Sequence, residues 1–160
     1  MQTRVLVWGC AAIFLLGASA VLTLFLLAMW SRRSPSPRGA PSSHRLADCP
    51  GAPNCVCSQA TRDSRTIPAF EFAGEAAASM QKLIGVLNMQ SQATIVTRKP
   101  DYLHVEFRSP FFGFVDDVEF LADEAANVIH VRSASRIGYS DGGTNRRRVE
   151  MLRALYQTGK

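Results

Sequence analysis

From Val5 to Trp30 the chain runs for 26 residues without a charged side chain. A helix needs about 20 apolar residues to cross a hydrocarbon core of roughly 30 Å. The run is therefore long enough to span a bilayer with some tilt. It is apolar all round, which disfavours the core helix of a soluble domain. Trp8 and Trp30 stand near its two ends, where aromatic side chains favour the membrane interface. A cleaved leader is the rival reading, because Ala18-Ser19-Ala20 resembles a small-residue cleavage site. Cleavage there would leave VLTLFLLAMW as a mature amino terminus, so an uncleaved anchor is the expectation. Cys10 lies near the start of the run rather than just after it, which argues against lipid attachment.

The expected organisation is a membrane anchor over 1–30, with its transmembrane helix at 5–30, a linker over 31–47 and a soluble α+β domain over 48–160. The linker, SRRSPSPRGAPSSHRLA, is rich in Pro, Ser and Arg and resists helix and sheet. The formal charge of +5 is divided between Arg32, Arg33, Arg38 and Arg45 after the span and Arg146, Arg147, Arg148 and Arg153 near the end. That division reads as a juxtamembrane cluster plus a charged helix face, and no nucleic-acid partner is expected. Topology signals conflict. Positive charge after the span argues for a cytoplasmic domain. Cys49, Cys55 and Cys57, in a Pro/Gly-rich stretch, argue for an oxidising, periplasmic or otherwise exported compartment. A Cys49–Cys55 or a Cys49–Cys57 bridge would leave one thiol free, and plain thiols or redox chemistry stay open. His44 is the only imidazole near them, a poor zinc pattern.

Periodicity predicts a helix over 75–88, with Ala76, Met80, Leu83, Ile84 and Leu87 on one face. Four strands follow, over 93–98, 102–109, 112–121 and 128–137. A final helix starts near Thr144 or Asn145, with Val149, Leu152, Leu155 and Tyr156 as its apolar stripe. Short connections predict a four-stranded, mainly antiparallel sheet covered on one face by two helices. Strict alternation puts Phe112, Phe114, Asp116, Val118 and Phe120 on the covered face. A carboxylate there needs a partner, so Asp116 requires either a bulge or an Arg from the last helix or its loop. The opposite face collects His104, Glu106, Arg108, Asp117, Glu119, His130, Arg132 and Arg136 and reads as solvated. Asp117 and Glu119 with a histidine do not have a specific metal spacing, and no metal is expected.

The loop from Ser133 to Arg148 carries Ser135, Arg136, Ser140, Asp141, Asn145 and Arg146. Serine, glycine and asparagine before a helix can offer N–H groups to an anion, with arginines as bidentate donors. The same residues also make an internally bonded structural loop, with Ser140 or Asp141 bonded to nearby backbone. Gly and Lys spacing excludes a P-loop or dinucleotide fingerprint. No catalytic set emerges, because catalysis needs a positioned base with a nucleophile or metal. No cofactor is expected.

Three segments, CPGAPNCVCS at 49–58, FGFVDDVEF at 112–120 and RSASRIGYSDGGTNRRRVEMLR at 132–153, closely resemble the bacterial and plastid family called domain of unknown function 1499. The similarity covers about residues 48 to 157. The resemblance implies a membrane-anchored or exported protein and no established activity. The function expected is a non-catalytic accessory or assembly subunit binding other membrane proteins beside the bilayer. The alternative is an envelope enzyme or a binder of a small anionic ligand, using Asp116, Arg132, Arg136 and Asp141.

Overall fold

The computed structural model describes residues 2–35 and 45–159. Most of the expected linker, including Arg38 and His44, lies outside the described residues. The first helix, α1 (Gln2–Arg33), runs three residues into that linker before it ends on Arg32 and Arg33. Its stretch from Ile13 to Arg33 is long and apolar enough to cross a membrane. Most of its described large side chains are exposed, among them Phe14, Leu22 and Trp30, whereas Ala28 and Ser31 are buried.

The remaining elements are β1 (Cys55–Cys57), a 3-10 turn at Asp63–Arg65, β2 (Phe70–Glu71), α2 (Ala76–Asn88), β3 (Ala93–Arg98), β4 (Tyr102–Arg108), β5 (Val115–Asp123), β6 (Val128–Ser135) and α3 (Thr144–Thr158). The fold is α+β. The sheet has six strands rather than four, in the order β1-β6-β5-β4-β3, with β2 also paired to β6. Every strand pairing is antiparallel. The two additional strands are three and two residues long. Segments so short carry no alternation, and β1 also sits inside the Cys/Pro/Gly stretch that reads as an irregular arm.

One sheet face carries Leu103, Val105, Phe107, Val118, Phe120, Ile129 and Val131 under the apolar stripes of α2 and α3. Phe70 joins the layers by edge contacts to Phe120 and Tyr156, at 5.8 and 5.7 Å. Such aromatic pairs add about 0.5–1.5 kcal/mol beyond the area they bury.

Two strand boundaries differ from expectation. β5 begins at Val115 because the chain turns at Gly113, whose φ of 72° closes the β4–β5 hairpin. Phe112 and Phe114 therefore leave the core face, and Phe112 packs edge-on against Phe25 of α1 at 5.7 Å. At the other end β6 stops at Ser135. The N-cap of α3 is Gly143, at φ 81°, not Thr144 or Asn145. Asp141 does the capping chemistry instead: its carboxylate accepts N–H bonds from Gly143 at 2.9 Å and Asn145 at 2.8 Å.

The helix and the hairpin are joined directly. Val115 N–H donates to Ser31 Oγ at 3.0 Å. Arg32 donates from Nη2 to the Phe112 carbonyl at 2.7 Å and from Nε to the Gly113 carbonyl at 3.2 Å. The approach is close, since a Cβ at Gly113 would collide with the Arg32 guanidinium.

Candidate functional site

Adjacent residues of a strand point to opposite faces, so Asp116 and Asp117 put one carboxylate on each side of the sheet. Each meets an arginine from the chain beyond β6.

On the helix-covered face, Arg148 Nη2 lies 2.5 Å from Asp116 Oδ2. No register shift interrupts β5, so the carboxylate is accommodated by pairing and not by a bulge. Arg148 also donates to Asn145 Oδ1 at 2.7 Å, and its guanidinium stacks over the Phe107 ring at 4.9 Å. Asn145 in turn bridges Ser133, Ser135 and the Asn54 carbonyl. This network clamps the start of α3 to β6 and to the arm before β1.

The centre of the opposite face is buried, contrary to the solvated face expected, while Arg108 stays exposed. Tyr102, His104, Asp117 and Glu119 are each less than 5% exposed. Arg136 holds Asp117 through two bonds of 2.7 Å and reaches Glu106 at 2.5 Å. His104 Nε2 lies 2.7 Å from the same Asp117. Beside this group, Glu119 accepts from Tyr102 at 2.7 Å and from Arg132 at 3.0 Å.

Burial opposes the ionisation of Asp117, but Arg136 and His104 outweigh it and hold the carboxyl below the usual range. Burial likewise opposes ionisation of Glu106, and Arg136 and Arg108 bring it below its usual value. Asp117 and Glu106 hold Arg136 more firmly protonated than a free guanidinium. Tyr102 is pushed upward by burial and by Glu119, so its hydroxyl stays a donor.

The anion-binding residues expected from sequence are thus divided. Arg132 and Arg136 each contact carboxylates. Arg146 donates to the Ser64 and Thr66 carbonyls at 3.2 and 3.0 Å and ties α3 to the 3-10 turn. Ser140 accepts from the Gly142 N–H at 3.3 Å and is exposed. Asp141 is held below the ordinary carboxyl range although burial acts against it, because the Asn145 and Gly143 N–H groups point at it.

Asp116, Ser135, Ser140 and Asp141 do converge, on a cavity of about 420 Å³. Its other walls are Leu27, Trp30 and Ser31 of α1, Phe114, Val115 and Ile137. The contribution of α1 to this cavity had no sequence signal, because a helix apolar all round shows no preferred face. Tyr102, which donates to Glu119, is the other unanticipated member of the clusters, whereas Glu106 and His104 share the face that alternation gives them. The available clue to Tyr102 was its place two residues before His104 on β4, which puts both on one face.

Cys49 and Cys55 form a disulfide, and Cys57 is a free, buried thiol. Burial raises the Cys57 thiol above its ordinary value. Among the described residues, no three His, Cys, Asp or Glu side chains gather as metal ligands.

The profile of the family described as protein of unknown function (DUF1499) matches residues 45–155. The chain belongs to that family. The matched stretch takes in the disulfide, both carboxylate–arginine clusters and nearly all of α3, and leaves α1 outside. No curated protein and no solved structure matches this DUF1499 chain.

Proposed function

We propose that this DUF1499 protein is a single-pass membrane protein whose α+β domain serves as a non-catalytic accessory or assembly subunit, binding other membrane proteins beside the bilayer. The observation that carries the reading is the joint between α1 and the hairpin. Ser31, Arg32 and Phe25 supply hydrogen bonds and packing to residues 112–115, so the helix completes the domain in a way a discarded leader would not. A domain held in this way presents Trp30 and Tyr139, both more than half exposed, next to the membrane. Aromatic residues are enriched in the contact centres of protein interfaces. The Cys49–Cys55 disulfide supports an exported domain, since such bonds persist in oxidising compartments.

Mild-detergent purification of the intact chain from its native membrane, followed by mass spectrometry, tests the proposal. A stoichiometric set of membrane proteins, lost with Tyr139→Ala, is the expected result. Recovery of the chain alone refutes it. The second reading, a small-ligand binder, is favoured by the cavity on which Asp116 and Asp141 converge. Its apolar walls and carboxylates suit an amphiphile better than the anion expected from Arg132 and Arg136. A molecule of fixed mass retained by the purified chain in native mass spectrometry would support that alternative.

A further inference from the structure

The tip of the β4–β5 hairpin, Ser109-Pro110-Phe111-Phe112-Gly113-Phe114, has no charged residue and three phenylalanines. Phe111 is 90% exposed. One exposed phenylalanine means little by itself; the surroundings of this one decide the matter. Phe112 packs on Phe25, which lies eight residues before Arg33, the end of the apolar stretch of α1. At 1.5 Å per residue that is about 12 Å along the helix axis. The headgroup layer on each side of a bilayer is only roughly 5–8 Å deep. The Phe112 ring therefore sits level with the apolar part of the span, while the tip's carbonyls lie at Arg32.

The tip's backbone is partly paired, which lowers the cost of leaving water, while the Phe111 and Phe112 N–H and the Pro110 and Phe111 carbonyls have no partner among the described residues and keep the tip at the hydrated boundary. An unpaired N–H or C=O costs several kcal/mol in hydrocarbon. Pro110 has no N–H. Ser109 N–H donates to the Phe114 carbonyl at 2.9 Å, Gly113 N–H to the Ser109 carbonyl at 3.0 Å, and Phe114 N–H to Ser109 Oγ at 3.0 Å. The Phe112 and Gly113 carbonyls accept from Arg32. Arg32 thus covers those carbonyls while its charge stays at the helix end, where an arginine side chain reaches the interface.

We propose that this hairpin tip is a second membrane-contacting element, inserted beside α1 at the boundary of headgroups and acyl chains with Phe111 facing lipid. The proposal rests on α1 being a membrane span. Two contacts, one covalently continuous and one folded, fix the tilt of the domain on the bilayer.

The test uses the full-length chain in phosphatidylcholine vesicles whose upper acyl chains are brominated, a quencher of tryptophan emission. Wild-type emission, from Trp8 and Trp30, reports the span. In a Trp8→Phe/Trp30→Phe background, Phe111→Trp places one tryptophan at the tip. Ala125→Trp places one at the exposed β5–β6 turn, a strand length of about 30 Å away. Phe111 is exposed, so the exchange does not disturb the core. The expected result is blue-shifted emission with most of it quenched at position 111, and neither effect at position 125. Quenching in the wild type with none at position 111 overturns the inference and leaves the span intact. Equal quenching at 111 and 125 also overturns it. Absence of quenching in all three proteins removes the span, and the inference with it.

Discussion

Replacing Arg136 by alanine should unfold this domain far more readily than the loss of one surface arginine would. The Arg136 side chain is 4% exposed, and its partners Asp117 and Glu106 are 5% and 14% exposed. Removal leaves Glu106 with Arg108, and Asp117 with the His104 ring as its remaining side-chain partner. Breaking a buried pair on one side costs about 3–5 kcal/mol, because a charge stays behind in a poor solvent. Against a total of about 5–15 kcal/mol for a typical domain, that is a large fraction. With a urea slope of roughly 1.5 kcal/mol per molar, the unfolding midpoint should fall by about 2–3 M. Cys57 supplies the assay. It is 1% exposed, and Cys49 and Cys55 are bonded to each other. In a Cys10→Ser background the detergent-solubilised full chain has one free thiol, which a pulse of maleimide reaches only after unfolding. Replacing both partners together, as Asp117→Asn with Arg136→Met, should recover much of the loss, since no charge is stranded. A midpoint shift of Arg136→Ala below about 0.5 M would refute the reasoning, because the cluster would then behave as a solvated one.

Two further predictions follow from the same geometry. Asp117, Glu106 and Asp141 all have carboxyls held below their ordinary range, so each adds stability that is present above about pH 4 and is lost as pH falls through the depressed value. Urea midpoints followed by near-ultraviolet dichroism should therefore fall on acidification, and Arg136→Ala should show a flatter acid limb. The Cys49–Cys55 bond closes a short loop of six-residue separation, for which chain entropy gives about 2 kcal/mol. The Cys49→Ser/Cys55→Ser double variant should lose about that amount in the maleimide assay and remain folded.

The parts of the fold legible in the sequence are those with enough residues to show a period. Met80, Leu83, Ile84 and Leu87 mark α2, and the alternation from Leu103 to Phe107 marks β4 and its core face. A two-residue strand such as Phe70–Glu71 has no period to read; its existence depends on β6 offering an edge. Alternation also assigns a residue to a side of the sheet without saying what lies over that side. For this reason Asp117, Glu119 and Arg132 read as solvated although they are buried. Tyr102 and Leu121, both fully buried among them and packed with Leu46 and Cys57, were the hint that something covers that face. For Asp116 the type of partner was legible, an arginine from the final helix or its loop. That it is Arg148, braced by Asn145 and Phe107, depends on the rotation of α3 against the sheet, and no local pattern records it. The joint between α1 and the hairpin was illegible for a different reason, because Ser31 and Arg32 stand some 80 residues from their partners.

The neighbouring carboxylates of β5 bear on how this strand finds its place. A slip of one residue turns every side chain of a strand to the other face. For most strands with a charged side such a slip is penalised electrostatically. Here a slip that brings Asp117 to the place of Asp116 also brings Val118 to the place of Asp117, so Arg148 would keep a carboxylate while Arg136 would lose one. The ion pair under the helices is thus blind to this slip, whereas the one on the opposite face is not. Val118 and Phe120, which would be exchanged for Glu119 and Leu121 under the helices, have to reject it. Apolarity under the helices and the Arg136 pair on the other face choose the register together, and the Arg148 pair follows it.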